Sequence, residues 1–208
     1  MPYEIPDYPD DAIIEEWTVV GEGSHGQVRR VRMRQGDDPA ITACIKLFTE
    51  EWHDAYQREL DAYTLMIHRG VKRCIPQVWY KQSWPRWKWD GEQHGDYHEY
   101  DQDEILDGLV MEYFEDCREI DMKKADIHLA VALGETLQRI HDAGVVHNDI
   151  EERNILLVRE SGKIRIVWID FSCAWSGPDF RPPNPVEWNW FRGFLLDTMV
   201  ILSTSNLF

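Results

Sequence analysis

Residues 51–69 repeat with the period of an α-helix, and a carboxylate sits in the middle of that helix's apolar stripe. At 100° per residue, Trp52, Ala55, Tyr56, Tyr63 and Met66 fall within about 40° of one direction, and Glu59 falls among them. A carboxylate turned inward is costly unless a cation meets it. The helix must therefore pack on a neighbour that offers a basic side chain, and few arrangements of the preceding segment do so. Residues 17–20, 27–34 and 41–48 alternate like three strands joined by turns, which predicts an antiparallel meander. The second strand puts Val31 and Met33 on one face and Arg30, Arg32 and Arg34 on the other. On the third, Lys46 shares a face with Thr42 and Cys44, while Ala43, Ile45 and Leu47 take the opposite one. A solvated lysine is the plain reading of Lys46. The inward Glu59 makes it instead a candidate for a positioned ammonium that grips polyphosphate oxygens.

Residues 75–83 and 108–114 read as two further strands, and the stretch between them, rich in Trp, Tyr, Asp and Glu, as a long insertion over about 84–107. Asp126 is placed to cap a helix through His141 that buries Ile127, Ala130, Val131, Leu137 and Ile140, with Gly144 beyond its end. Residues 155–158 and 164–169 are spaced as a hairpin around Ser161-Gly162, and a Pro-rich loop at 178–185 precedes a last apolar helix over about 187–203. A sheet with one helix, followed mainly by helices, predicts an α+β fold in two lobes.

Composition narrows the partners. The chain of 208 residues carries 22 Lys+Arg against 38 Asp+Glu, a formal charge of −16. So acidic a surface repels phosphate backbones and anionic lipid, which argues against nucleic-acid and membrane binding. Cys44, Cys74, Cys117 and Cys173 are widely spaced with no CxxC pair, so neither a zinc site nor a disulfide framework is expected. The first ten residues are acidic and Pro-rich, unlike a targeting peptide, and Asp197 interrupts the best apolar run. These features predict a cytoplasmic or nuclear protein with reduced thiols.

Three sets of residues carry chemistry. Gly21-x-Gly23-x-x-Gly26-x-Val28 joins the first two strands, where glycines either make a flexible hairpin or let backbone N–H groups approach phosphates. Its place between two strands argues against a dinucleotide-binding turn, which lies between strand and helix. Lys46 and Glu59 form the second set. The third is the stretch His147-Asn148-Asp149-Ile150-Glu151-Glu152-Arg153-Asn154 with Ile169-Asp170-Phe171. Asp149, Asn154 and Asp170 are each, alone, ordinary cap or turn residues. Together they supply hard oxygen donors that suit Mg²⁺ and a carboxylate able to accept a hydroxyl proton.

GEGSHGQV, ACIK, MEYF, HNDIEERN and IDF follow one another in an order that resembles the protein kinase-like superfamily, over roughly residues 15–203. The resemblance implies a bilobal kinase-like fold, a single domain over 1–208. An antiparallel-sheet N-lobe would occupy about 12–114, interrupted by the insertion, and a truncated, mainly helical C-lobe about 115–208. ATP and Mg²⁺ are the implied cofactors, bound between the lobes. Gly21, Gly23 and Gly26 would cover the phosphates, and Lys46, paired to Glu59, would contact them. Asp149 resembles the catalytic base, and Asn154 and Asp170 the metal ligands. Met111 resembles the residue behind the adenine pocket. Glu112 and Phe114 would offer hinge backbone groups, and Val28, Cys44 and Leu156 would sandwich the ring. The implied activity is transfer of the γ-phosphate to a hydroxyl, in the first instance of a protein Ser or Thr.

The departures set the alternatives. Asn148 stands where an arginine would meet a phosphorylated activation loop, so regulation by such a phosphate is not expected. Ser172 replaces a glycine, no APE motif follows, and the later helices that dock peptides are expected to be missing. These features suit a pseudokinase or scaffold that binds nucleotide or a partner protein without turnover. The HND loop also resembles the choline kinase and aminoglycoside phosphotransferase branch, whose acceptors are small molecules. The set as a whole resembles a small, atypical, fungal-type kinase-like protein. A lobe closing at Phe208 would leave apolar surface on the last helix for a protein partner or second copy. Trp84, Trp87 and Trp89 could stack bases, but in an acidic chain they read as an insertion packing on its own lobe. The acidic run 92–104, with His94 and His98, reads as a solvated loop rather than a metal site. His25 reads as an exposed loop tip.

Overall fold

The structure is a computed structural model that describes residues 3–23, 25–85 and 105–177, together with Glu187, Asn189 and Gly193. The chain divides into two compact units, one of Glu4–Leu60 and Gln77–Tyr113, the other of Met1–Tyr3, Asp61–Pro76 and Phe114–Phe208. Each is described by itself.

The first unit is an antiparallel sheet with strand order β1-β2-β3-β5-β4. Its strands are β1 (Ala12–Gly23), β2 (Gly26–Gln35), β3 (Ile41–Phe48), β4 (Val78–Pro85) and β5 (Ile105–Glu112). Alternation sets its two faces. Val31, Met33, Ala43, Ile45 and Leu47 are buried in one core with Tyr8, Trp84, Leu106 and Val110. The opposite face of β3 carries Lys46 and Phe48 towards the helix that follows, where Phe48 meets Tyr56 at 5.7 Å. A turn of 3-10 helix (Glu50–Trp52) leads into that helix, α1 (His53–His68), whose Ala55 and Tyr56 are buried.

Two expectations change in this unit. β4 begins three residues later than the alternation suggests, after Pro76, which cannot donate to a ladder. It also runs on into the segment read as an insertion. Trp84 is 2 % exposed, pairs with Leu106 across the sheet and meets Tyr8 edge-on at 5.6 Å, so it is a core residue. Residues 86–104, including Trp87, Trp89, His94 and His98, lie outside the described residues.

The N-terminal segment also belongs to this core. Tyr8 N–H donates to Lys81 O at 2.9 Å and Lys81 N–H to Pro6 O at 2.9 Å, so residues 6–8 run along the edge of β4. An unpaired edge invites pairing with other chains, and this segment covers it. Ile5 and Tyr8 are buried beneath it. Burial pushes the Tyr8 hydroxyl up to about 12, and that hydroxyl has no hydrogen-bond partner among the described residues. An unsatisfied buried hydroxyl costs free energy that an apolar ring does not. Tyr8→Phe is therefore expected to raise stability by about 1 kcal/mol, whereas Tyr8→Ala should lower it by about 3 kcal/mol. Urea unfolding midpoints of the two variants check both signs.

The second unit holds α2 (Ile127–Asp142) and two small sheets. These are β6-β8-β9 (Cys117–Glu119, Ile155–Glu160, Lys163–Trp168) and the pair β7 (Val145–Val146) with β10 (Trp175–Ser176). Asp126 Oδ1 accepts from Leu129 N–H at 2.8 Å, the predicted cap. Gly144, with φ of 83°, closes the other end by donating its N–H to His141 O. The buried side of α2 is Ala130, Leu133, Leu137, Ile140 and His141, while Ile127 and Val131 are exposed, against expectation. At 100° per residue those two sit about 85° and 125° from the buried direction, beyond the reach of the stripe. Trp168 Nε1–H donates to Thr136 Oγ at 2.8 Å, fixing β9 to α2. Ser161 and Gly162, both at left-handed φ, form the predicted two-residue hairpin turn. Tyr63 and Met66, from the second half of α1, are buried in this unit. Glu187, Asn189 and Gly193 are helical, and the remainder of the last predicted helix lies outside the described residues. No helix among the described residues is long and apolar enough to cross a membrane.

Candidate active site

The three glycines between β1 and β2 differ in what the fold asks of them. A Cβ on Gly26 would stand 2.0 Å from Leu47 O, a backbone atom of β3, so this glycine is required by packing. A Cβ on Gly21 or Gly23 would meet nothing nearer than 3.8 Å. Their lack of a side chain has no cause within the sheet. Gly26→Ala is expected to cost on the order of 3 kcal/mol, while Gly21→Ala and Gly23→Ala stay within about 0.5 kcal/mol of wild type and weaken nucleotide binding. Denaturation and ATP titration of the three variants separate the two roles. His25, expected to be exposed, is half-buried with its ring edge-on to Trp52 at 4.8 Å.

Lys46 Nζ lies 2.6 Å from Glu59 Oε2, with Lys46 7 % and Glu59 1 % exposed. The sheet supplies one charge and the first half of α1 the other, as the inward-facing Glu59 requires. Register puts Val28 opposite Lys46 and Cys44 opposite Met111. Val28 and Cys44 are half-buried and Met111 is buried. Burial pushes the Cys44 thiol up to about 12, with Lys46 acting the other way, so this cysteine stays a neutral, unreactive thiol. All four cysteines are free thiols. Glu112 N–H donates to Gln77 O at 2.8 Å, and the Phe114 carbonyl accepts from Cys117 Sγ at 3.4 Å. The chain passes from the first unit to the second between Tyr113 and Phe114.

The second unit gathers the Asp149 loop and Asp170. His147 is fully buried, and its Nε2–H donates to Ile169 O at 2.9 Å. Burial holds its pKa below the usual 6.5, so the ring stays neutral at pH 7. Ile169 N–H donates in turn to Asn154 O at 3.0 Å, which binds the loop to the residue before Asp170. Asn154 is buried, and its Nδ2 donates to both Asp149 Oδ2 and Asp149 O at 2.9 Å. With its nitrogen committed, the amide oxygen of Asn154 is the atom left for a hard cation. Arg153 reaches Asp149 Oδ2 at 3.2 Å and also pairs with Glu151, but its side chain is 56 % exposed, where such a pair contributes little. Asp170 stands at φ of 62°, and its Oδ1 accepts from Ser172 Oγ at 2.6 Å and Ser172 N–H at 3.4 Å. Ser172 is buried, so the residue that departs from the kinase pattern orients the carboxylate rather than disrupting it.

Leu156 is half-buried on β8 in this unit, apart in the chain from the Val28 and Cys44 strands. Among the described residues no group of three or more His, Cys, Asp or Glu side chains could hold a metal. Asp170 and the Asn154 oxygen fit a Mg²⁺ whose other ligands are phosphate oxygens and water, the usual nucleotide arrangement. Glu187 went unnoticed in the sequence, where an acid at the start of a helix looks like ordinary capping chemistry. Its carboxylate is buried against His141 and the backbone of Asn148.

The first unit holds a buried strand lysine on a helix glutamate in a sheet whose β1–β2 turn is glycine-rich, the second holds Asp149, Asn154 and Asp170, and the family match places the chain in the general class of kinase-type phosphotransferases. Residues 14–181 match the model of the protein kinase domain, and the chain belongs to that family. Protein kinase domains use ATP and Mg²⁺. No curated protein matches the chain.

Proposed function

We propose that the chain transfers the γ-phosphate of Mg²⁺·ATP to a hydroxyl of an acceptor. The buried Lys46–Glu59 pair at 2.6 Å carries this reading, because an ammonium kept inside a sheet at such desolvation cost is of use where phosphate charge must be met. The glycines at 21 and 23 would let β1 and β2 approach the phosphates. Val28, Cys44, Met111 and Leu156 would line the adenine, with backbone groups of Glu112 and Phe114 at its edge. Asp170 and Asn154 would hold the metal, which when bound neutralises charge on the phosphates. Asp149 would orient the acceptor hydroxyl and take its proton as the oxygen attacks the γ-phosphorus and ADP leaves. Little covalent chemistry is asked of the protein, since positioning and electrostatics supply most of the rate.

A protein Ser or Thr is the favoured acceptor, because the glycine hairpin and the MEYF segment resemble the protein kinase branch and the family match is to that domain. A second reading, a nucleotide-binding module without turnover, draws on the commitments of the two carboxylates. Asp149 is engaged by Asn154 and Arg153, and Asp170 by Ser172. A radiolabelled-ATP assay against mixed proteins and small-molecule extracts, with Asp149→Asn as control, separates the readings. Label transferred by wild type and not by Asp149→Asn supports phosphotransfer and names the acceptor class. No label in either extract, with a melting temperature that still rises on adding ATP, would leave only the binding module.

A further inference from the structure

We propose that Gln27 is a positioning residue that pins the Glu22 carboxylate to the face of the glycine hairpin turned away from the nucleotide. The inference rests on the reading above, in which that hairpin approaches the phosphates. Glu22 stands between Gly21 and Gly23, so a negative charge sits in the very segment that has to meet a triphosphate. A carboxylate free to swing towards phosphate oxygens repels them and weakens binding. Little in the local backbone opposes such a swing. Glycines flank the acid on both sides, the β1–β2 register shifts between Val19 and Gly21, and Val19 and Val20 are exposed.

Register decides which face the acid takes. Between β2 and β3, Val28 pairs with Lys46, whereas Gln27 pairs with Leu47 and Arg29 with Ile45. Successive side chains of a strand point to opposite faces, so Gln27 and Arg29 share the core face and Val28 the face of Lys46. Glu22 is the cross-strand partner of Gln27, and Gln27 Nε2 donates to Glu22 Oε1 at 2.8 Å. That bond draws the acid to the side opposite Lys46. An amide that turned over would offer the carboxylate its oxygen instead. Arg29 opposes this, because a guanidinium only donates, and its Nε donates to Gln27 Oε1 at 2.6 Å. Arg29 is itself held, 6 % exposed and with Cζ 4.1 Å from the centre of the Trp17 ring, which packs on the sheet core. A line of contacts thus runs from Trp17 through Arg29 and Gln27 to Glu22, from the core to the hairpin.

Calorimetric titration of the full chain with Mg²⁺·ATP and with adenosine, which carries no phosphate, tests the pin. Gln27→Ala removes the amide, Glu22→Gln removes the charge, and the double variant removes both. Gln27→Ala should raise Kd for Mg²⁺·ATP about tenfold at low salt while leaving Kd for adenosine within about twofold of wild type. Glu22→Gln should bind Mg²⁺·ATP about twofold more tightly than wild type. Adding Gln27→Ala to it should then change Kd by less than about twofold, because no acid is left to pin. In about 0.5 M salt the loss in Gln27→Ala should shrink to about threefold or less. Unchanged Mg²⁺·ATP affinity in Gln27→Ala overturns the proposal. An equal loss for adenosine, or a loss that Glu22→Gln does not rescue, would make Gln27 a structural residue of the hairpin and also overturn it. Should Gln27→Ala fail to fold, Gln27→Glu decides, since it keeps an acceptor for Arg29 but repels Glu22. It should lose about tenfold or more in Mg²⁺·ATP affinity and regain most of it with Glu22→Gln. Wild-type affinity in Gln27→Glu counts against the pin. A wild-type chain that binds Mg²⁺·ATP with this pattern but transfers no phosphate removes the phosphotransfer reading and leaves the pin standing. One that binds no Mg²⁺·ATP overturns both.

Discussion

Glu59→Ala should destabilise the protein by about 3–5 kcal/mol, the largest effect expected of any single change in the sheet unit. The reason is the ammonium left behind. Lys46 is buried with its Nζ 2.6 Å from the Glu59 carboxylate, and removing the acid takes this close counter-charge from an ammonium already out of water. Glu59→Gln, which keeps shape and an acceptor, should cost roughly half as much. The double variant Lys46→Met/Glu59→Leu removes both charges and fills the space with apolar atoms. It should return to within about 1 kcal/mol of wild-type stability, because a buried ion pair adds little over well-packed hydrophobic residues. The same double variant should lose phosphate transfer by a factor of about a hundred or more, since the ammonium proposed to meet the triphosphate charge beside the metal is then gone. Chemical denaturation and the label-transfer assay, run on the four proteins together, separate stability from function. A double variant as unstable as Glu59→Ala would contradict the electrostatic account.

The second large effect lies at Asp170. Asp170→Asn should reduce transfer by about a thousandfold, and Asp170→Ala at least as much. The two differ in stability, because residue 170 sits at a φ of 62°. Asparagine tolerates that region, whereas alanine carries a penalty of about 1 kcal/mol there, and it also leaves the buried Ser172 hydroxyl without the oxygen it now meets at 2.6 Å. Melting curves with ATP, recorded with and without Mg²⁺, give a reading that does not depend on turnover. Wild type should be stabilised further by adding Mg²⁺ to saturating ATP, and Asp170→Asn should show the ATP effect alone. Equal Mg²⁺ responses in the two proteins would remove Asp170 from the metal site.

Where sequence reasoning succeeded, the controlling physics was local. Period-2 alternation puts Ala43, Ile45 and Leu47 on the face opposite Lys46 within eight residues of β3, and those three are buried in one core. The period of 3.6 in α1 turns Glu59 inward whatever the helix packs against, and desolvation then demands a cation. Asp126 and Gly144 are legible for the same reason, because caps act on backbone groups a few residues away. The errors at Ile127 and Val131 arose at the margin of a stripe, where a rotation of a few tens of degrees decides burial and apolar character alone cannot locate the stripe's centre.

Other features depend on segments that meet only after folding. Tyr8 and residues 6–8 lie along β4 because that strand has an open edge, and no pattern in an acidic, proline-bearing stretch announces it. Gly26 is distinguished from Gly21 and Gly23 by a single carbonyl of β3, a distance that spacing does not encode. Trp84 belongs to the core because β5, well beyond it in the chain, pairs beside it.

Chain order and residue type alone thus brought out the Lys46–Glu59 pair, since an inward carboxylate demands a cation, and singled out Asp149, Asn154 and Asp170 as candidate oxygen donors by their order along the chain. Which hydrogen bonds orient those donors was settled by folding: Ser172 on Asp170, Asn154 on Asp149, Glu187 on Asn148. A hydrogen bond is made or lost over tenths of an ångström, and such distances exist only once remote parts of the chain have packed.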